Sequence, residues 1–387
     1  MKVISILGST GSIGKSTLEV IRLHKDSFKI FALSCDTNIN LLLKQAVEFK
    51  PSYLVCSTKN DAIKLSKMLP SNTHSKVIFS SESYNFIAEH EDVTHVVAAI
   101  SGTAGLESTF HAAQSGKTIL LANKESMIMA GPLFKKLIEQ GIDTVIPIDS
   151  EHNAIFQILN TSAHNSKNFK NIILTASGGP FLYTSLDDMK KVTVDDALNH
   201  PNWSMGKKVT IDSATMMNKG LEIIEAAYLF NLANDKIKVL IHPQSIIHSL
   251  VEYYDGSLLT QLGIPDMRIP ISYALGFPDR IISGLSGIDL TKKTLHFLEP
   301  DLQKFPCLGL AYDAIKSGHN YCVALNSSNE IAVLSFLDNK IPFADIYKIN
   351  LEVLSKVKNV PLNNLNEVFA YDLEIKELAK KIIKTKS

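Results

Sequence analysis

Residues 2–23 read KVISILGSTGSIGKSTLEVIRL. A short apolar run, Lys2 to Leu7, gives way at once to the glycine-rich turn GSTGSIG. Apolar positions at helical spacing follow from Ile13 to Leu23, so the stretch predicts strand, turn and helix. Gly8, Gly11 and Gly14 stand at GxxGxxG spacing, which lets the backbone turn tightly and approach a pyrophosphate at the positive end of the helix. Gly14-Lys15-Ser16 supplies the ending of a Walker A loop, but that motif has four residues between its glycines. Gly8 to Gly14 encloses five, and Ser9 stands where the glycine is required. A dinucleotide-binding fold is therefore preferred to a nucleoside triphosphatase or a purely structural turn.

The following segments agree. Phe28 to Ser34 predicts a second strand, and Asp36 lies about 20 residues after the glycine turn, where an acid usually meets the ribose hydroxyls. Further strands are expected at Tyr53 to Cys56, Val77 to Ser80, His95 to Ile100, Thr118 to Leu121 and Val145 to Ile148. Helices are expected between most of them: Ile39 to Phe49, Ala62 to Met68, Ala104 to Ser115 and Pro132 to Gln140. Such alternation makes an α/β fold, a doubly wound Rossmann-type parallel sheet. Ligands in these sheets sit beyond the carboxyl ends of the strands, where Asn123-Lys124-Glu125 and Asp149-Ser150-Glu151 fall. Helix capping is the alternative role for each cluster.

After residue 149 the pattern changes to an α+β domain, expected over 150–275. It begins with a strand at Asn171 to Thr175 that leads into the tight turn Ser177-Gly178-Gly179-Pro180. The densest polar chemistry lies in NHPNWSMGKKVTIDSATMMNKGLEIIEAA, Asn199 to Ala227, read as loop, strand (Val209 to Ile211) and helix. Asn218 and Glu222 stand at i, i+4, and Lys219 and Glu222 at i, i+3, so all three reach one place from neighbouring turns; a solvated helix face is the competing reading. Strands at Val239 to Ile241 and over Ile246 to Leu262 follow. The Pro- and Gly-punctuated run Gly263 to Pro306 is expected to cross the surface, with 276–306 as linker. Apolar positions then return at helical spacing in Leu308 to Ile315, Asn326 to Leu337, Ala344 to Val357 and Leu365 to Ile383, a C-terminal helical bundle over 307–387.

Composition bounds the function. The 387 residues, 45% of them apolar, suffice for more than one core. Lys plus Arg equals Asp plus Glu at 39 each, so no global field draws nucleic acid or an acidic membrane. Cys35, Cys56, Cys307 and Cys322 form no CxxC pair, which fits buried thiols in a reducing compartment. No apolar run is long enough to span a bilayer, and a first strand at residue 2 leaves no room for a targeting segment; a cytoplasmic protein is expected.

Seven motifs in order give a more specific reading: GSTGSIG from residue 8, ANKES from 122, IDSEHNA from 148, SGGPF from 177, HPNWSMGKK from 200, IDSATMMNKGLE from 211 and HPQSIIHSLVE from 242. Together they resemble the 1-deoxy-D-xylulose 5-phosphate reductoisomerase family over nearly the whole chain, and ALNSSNEIAV from residue 324 resembles it more loosely. The resemblance implies a dinucleotide domain, a catalytic domain with a mobile flap and a helical C-terminal domain. It also implies NADPH as cofactor and one Mg²⁺ or Mn²⁺ held by Asp149, Glu151 and Glu222. A deoxyketose phosphate would rearrange, by carbon–carbon cleavage and rejoining or by a concerted 1,2-shift, before NADPH reduces the aldehyde.

By the same resemblance Lys124, Ser150, Ser177, His200, Ser213, Asn218 and Lys219 hold the phosphate or hydroxyls of the substrate, and Lys124 and His200 join the three carboxylates as catalytic residues. The flap is 199–208, with Trp203 and Met205 as its apolar underside and Gly206 facing the cofactor; a core role for Trp203 is the alternative. Cofactor contacts are expected from Gly8, Thr10, Gly11, Ser12, Ile13, Asp36, Thr37, Asn38, Asn123, Glu125 and Gly206, and a homodimer from the family alone. Asp36-Thr37 departs from the small or basic pair that receives the 2′-phosphate of NADPH in many members. Two other functions fit parts of the chain: a metal-independent NAD(P)-dependent dehydrogenase of a hydroxy or semialdehyde acid, and a non-catalytic dinucleotide sensor.

Overall fold

The computed structural model describes residues 1–140, 145–161, 169–203 and 205–386. The chain opens with β1 (Lys2–Leu7), α1 (Ser12–Leu23), β2 (Phe28–Cys35), α2 (Ile39–Phe49), β3 (Tyr53–Cys56), α3 (Lys59–Met68) and β4 (Lys76–Phe79). It continues with α4 (Ser81–Glu89), β5 (His95–Ala98), α5 (Leu106–Gln114), β6 (Thr118–Leu121), α6 (Lys124–Glu139), β7 (Val145–Pro147) and α7 (Ser150–Thr161). The seven strands form one parallel sheet in the order β4-β3-β2-β1-β5-β6-β7. The order reverses between β1 and β5, and the glycine turn leaves β1 at that switch point, where doubly wound sheets bind their ligands.

The rest of the chain holds β8 (Phe169–Ala176), α8 (Leu186–Met189), α9 (Val194–Leu198), α10 (Lys207–Ala214), α11 (Met217–Leu229), β9 (Ile237–Ile241), β10 (Ile247–Tyr253) and β11 (Leu258–Leu262). Five helices complete it: α12 (Arg268–Gly276), α13 (Pro306–Ser317), α14 (His319–Leu337), α15 (Asp345–Lys356) and α16 (Leu365–Lys386). A second sheet runs β11-β10-β8-β9, antiparallel except for the β8–β9 pair.

Two compact units divide these elements: 1–126, 134–156 and 266–287 in the first; 127–133, 157–265 and 288–387 in the second. They interleave along the chain, whereas the sequence reading expects consecutive blocks. The first core joins Ile4, Ile6, Leu33, Leu54, Val97 and Leu120 of the sheet to Leu18 and Ile21 of α1 and Leu42 of α2. Ile271, Ala274 and Leu275 of α12 belong to the same core. The run 263–306, expected as a surface connection, thus contains a buried helix, tied to α1 by Arg268 and Glu19 at 3.5 Å. In the second unit Met217, Leu221 and Ile224 of α11 meet Cys307, Leu310 and Ala311 of α13 and Cys322 and Leu325 of α14.

Other expectations are corrected locally. Val209 to Ile211, read as a strand, lies inside α10. Its β-branched residues are overridden because Ile211 and Ala214 are buried and four-residue spacing pairs Lys208 with Asp212 (2.9 Å) and Thr210 Oγ1 with Gly206 O (3.0 Å). The helix expected from Pro132 begins at Lys124 and carries the proline inside, with non-helical angles at Ala130 (φ −132°, ψ 20°). Besides α12, the helices α4, α7, α8 and α9 were not foreseen in the sequence.

Candidate active site

In the first unit the glycine turn is built for close approach. A Cβ on Gly14 would lie 2.4 Å from Ser9 Cα, so the helix can start this near the turn only with glycine there. Gly11 occupies the N-cap of α1 without a capping side chain, leaving the first-turn N–H groups to an anion. Thr10 and Ser12 are not buried, and Ile13, partly buried, packs against the core of the first unit. Gln45 of α2, which sequence reasoning missed, braces the turn: Ser9 Oγ donates to Gln45 Oε1 at 2.7 Å, and Gln45 Nε2 to Ser9 O at 2.9 Å. Asp36, Thr37 and Asn38 are exposed after β2, but Asn38 Oδ1 caps α2 by accepting from Leu41 N at 3.1 Å.

The neighbouring ends of β6 and β7 carry the two polar clusters. Asn123 caps α6, its Oδ1 accepting from Ser126 N at 2.9 Å and its Nδ2 donating to Gly102 O at 2.9 Å and to Ile100 O. The capping alternative holds for Asn123, whose amide is turned inward. Lys124 Nζ lies 2.6 Å from Asp149 Oδ2, both groups mostly buried, and Ser150 Oγ donates to Glu151 Oε2 at 2.6 Å in the first turn of α7. Glu125 is buried beside them in α6.

In the second unit the SGGP turn, the flap and α10 to α11 converge. Gly179 has φ +68°, and a Cβ there would lie 2.6 Å from Ser213 O, so this glycine lets the turn carrying Ser177 lie against the end of α10 that carries Ser213. His200 Nδ1 faces two main-chain N–H groups, Asn202 at 3.2 Å and Trp203 at 3.0 Å. Since an N–H only donates, Nδ1 is the acceptor and the ring proton sits on Nε2, 3.1 Å from Ser177 Oγ. Burial lowers the His200 pKa, in keeping with a neutral ring. Ser177 Oγ also accepts from Gly179 N at 3.2 Å, so what it offers a ligand is its own hydroxyl proton.

The segment expected as the flap is tied down by a residue the sequence reading did not single out: Asn202 Nδ2 donates to Pro243 O (2.6 Å) and Ser245 Oγ (3.0 Å). Trp203 is half-buried, its ring 6.4 Å from that of His248; Gly206 has open space around its Cα. Ser204 of the expected flap lies outside the described residues. On α11, Asn218 Nδ2 donates to Glu222 Oε1 at 2.5 Å, and Lys219 Nζ pairs with Glu222 Oε2, both side chains buried. The solvated-face reading of this helix is therefore wrong for Lys219 and Glu222. A cavity of about 660 Å³ opens beside the SGGP turn, with Ser177, Gly179, Asn199, Pro201 and Pro243 in its wall.

Three family models match the chain in succession: 1-deoxy-D-xylulose 5-phosphate reductoisomerase over residues 4–131, its C-terminal domain over 145–230, and the DXP reductoisomerase C-terminal domain over 262–378. The chain belongs to the 1-deoxy-D-xylulose 5-phosphate reductoisomerase family. Relatives of that name are similar from end to end. One from Vesicomyosocius okutanii is 49% identical over 385 residues, 99% of each chain, and one from Tolumonas auensis is 46% identical over 98% of each. A DOX-P reductoisomerase crystallised with NADPH, fosmidomycin and magnesium has a TM-score of 0.92 at 45% identity, over 99% of this chain and 98% of its own. The Zymomonas mobilis reductoisomerase, in complex with NADPH, also gives 0.92, at 41% identity over 99% of each chain. Of the residues that the resemblance names for the chemistry, Lys124, Asp149, Ser150 and Glu151 lie in the first unit, and Ser177, His200, Trp203, Ser213, Asn218, Lys219 and Glu222 in the second.

Proposed function

We infer that this chain converts 1-deoxy-D-xylulose 5-phosphate to 2-C-methyl-D-erythritol 4-phosphate, with NADPH as reductant and a divalent cation, in non-mevalonate isoprenoid synthesis. The observation that carries the reading is similarity along the full length to reductoisomerases, one of them holding NADPH and magnesium.

Within the second unit, Ser177, Ser213, Asn218 and Lys219 are proposed to receive the phosphate. A phosphate dianion needs a cation and several donors, and this set provides an ammonium, two hydroxyls and an amide. His200 holds Ser177 with its proton directed outward and at the same time ties down the turn of the flap, so substrate capture and flap geometry share one imidazole. Trp203 covers the substrate and excludes water during rearrangement.

Asp149, Glu151 and Glu222 are proposed as ligands for Mg²⁺ or Mn²⁺. The donor set fits, since hard cations prefer carboxylate oxygens. When bound, the cation supplies Lewis-acid polarisation of the substrate carbonyl, and NADPH supplies the hydride. Lys124 and Lys219, each on one of these carboxylates, bring compensating positive charge to groups otherwise costly to bury. The uncapped N-terminus of α1 fits the cofactor pyrophosphate.

A homodimer is proposed as well. β11 is an edge strand, and Leu258 and Leu259 are 53% and 47% exposed on it, an apolar edge of the kind that a second copy covers. Light scattering of the purified chain tests this. A cytoplasmic location is supported by four free, buried cysteines, and among the described residues no helix is long and apolar enough to cross a membrane.

The deciding experiment is NADPH oxidation with 1-deoxy-D-xylulose 5-phosphate, with and without Mg²⁺. Metal-dependent turnover is expected. Metal-independent turnover would favour a plain dehydrogenase, and cofactor binding without turnover a dinucleotide sensor.

A further inference from the structure

Four consecutive polar residues, Asn326-Ser327-Ser328-Asn329, are buried in the middle of α14. A buried polar run is costly unless every group is bonded, and successive helix positions point about 100° apart, so the four cannot share one partner. Asn326 Nδ2 meets Met129 Sδ of α6 at 3.4 Å, Ser327 Oγ donates to Asp372 Oδ1 of α16 at 2.6 Å, and Ser328 Oγ donates to Asn350 Oδ1 of α15 at 2.8 Å. The fourth differs in its destination. Asn329 Nδ2 donates at 2.7 Å to Oδ1 of Asp212 on α10, while Asn329 Oδ1 accepts from Asn350 Nδ2 at 3.1 Å.

Asp212 is 1% exposed, and its other oxygen lies 2.9 Å from Lys208 Nζ, two positions beyond Gly206 at the base of the flap. It also directly precedes Ser213. Adjacent positions on one helix turn together, so whatever fixes the carboxylate of Asp212 fixes the side of α10 from which the Ser213 side chain projects. All these residues lie in the second unit.

We propose that Asn329 is a positioning residue for the reaction: by holding Asp212 it sets the rotation of α10, and with it the aim of Ser213 at the substrate phosphate and the anchorage of the flap through Lys208. This rests on the proposed phosphate role of Ser213. It assigns a function in substrate capture to a helical-bundle residue that touches no substrate.

The test compares Asn329→Ala with Ser327→Ala in the full-length enzyme. Asn329→Ala should raise KM for 1-deoxy-D-xylulose 5-phosphate by about tenfold or more, with the Kd for NADPH within about twofold of wild type, since small misplacements of a binding group are costly. Ser327→Ala removes an equally buried bond to a different helix and should lower Tm while leaving KM unchanged. The exchanged pair Asp212→Asn with Asn329→Asp keeps the hydrogen bond and the net charge, and should recover most of the lost KM. If Asn329→Ala does not fold, Asn329→Ser takes its place in the comparison. An unchanged KM in the Asn329 variant, equal KM effects in the Asn329 and Ser327 variants, or an exchanged pair no better than either single change would overturn the proposal. Ser213→Ala separates the layers: a raised KM there with an unaffected Asn329 variant refutes the positioning role alone, and an unchanged KM removes both it and the phosphate role.

Discussion

Asp36 sits exposed in the turn between β2 and α2, its carbonyl oxygen accepting from Ser57 Oγ at 2.9 Å. An acid there favours the ribose diol and repels a 2′-phosphate, so Asp36→Gly should strengthen NADPH binding and leave NADH binding equal or weaker. Dissociation constants for both cofactors at matched ionic strength check this, because salt screens the charge. An unchanged ratio would place Asp36 away from the ribose. Glu222 answers a different question. Glu222→Gln removes a proposed metal ligand while Gln can still accept from Asn218, and turnover should be lost with NADPH affinity retained. Titration with Mn²⁺ should show weakened binding; normal Mn²⁺ binding with full activity would take Glu222 out of the ligand set. The variant also removes the charge of Glu222 from its buried pair with Lys219; breaking such a pair typically costs about 3–5 kcal/mol, so its Tm should fall too.

Among elements, the proposed flap leads along the chain into α10, which carries Ser213. Trp203 is only half-buried and is not among the fully buried hydrophobic residues, so Trp203→Ala should impair turnover far more than stability. Truncating a core aromatic costs about 3–5 kcal/mol, and a Tm loss of that order in the substrate-free protein would restore the core reading. The SGGP turn gives the opposite expectation. Gly179→Ala, at φ +68° and with Ser213 O 2.6 Å from the new Cβ, forces apart the two segments that present Ser177 and Ser213. It should lower Tm and raise KM for the phosphorylated substrate together, with steric strain of about 1–3 kcal/mol at the backbone alone. α10 also explains why a β-branched triplet can be helical: burial and pairs four residues apart outweigh a weak propensity.

For the whole molecule, burial pushes His248 and His319 down to about 4 from an ordinary 6.5. The unfolded chain then binds protons that the folded chain refuses, so the stability these neutral rings allow is complete above about pH 6.5 and is lost as pH falls toward 4. Tm measured between pH 7 and 5 should decline steadily, and His248→Asn should flatten part of the slope; a level profile would show that these rings protonate in place. At this scale the division between sequence and structure is plain. The glycine turn, the strand–helix alternation of the first sheet, the C-terminal helices and the polar clusters proposed for the site were legible in the sequence. Each depends on patterns a few residues long, where side-chain period or backbone sterics report directly on local structure. What the sequence left out depends on groups that meet only after folding. Cys35 and Cys56, far apart in sequence, stand opposite each other on β2 and β3; α12 joins the first core from beyond residue 265; and Asn329 reaches Asp212 across 117 positions. The tautomer of His200 belongs with these. Its residue type was visible in HPNWSMGKK, but which nitrogen carries the proton is decided by two backbone N–H groups and a serine brought to the ring by the folded flap.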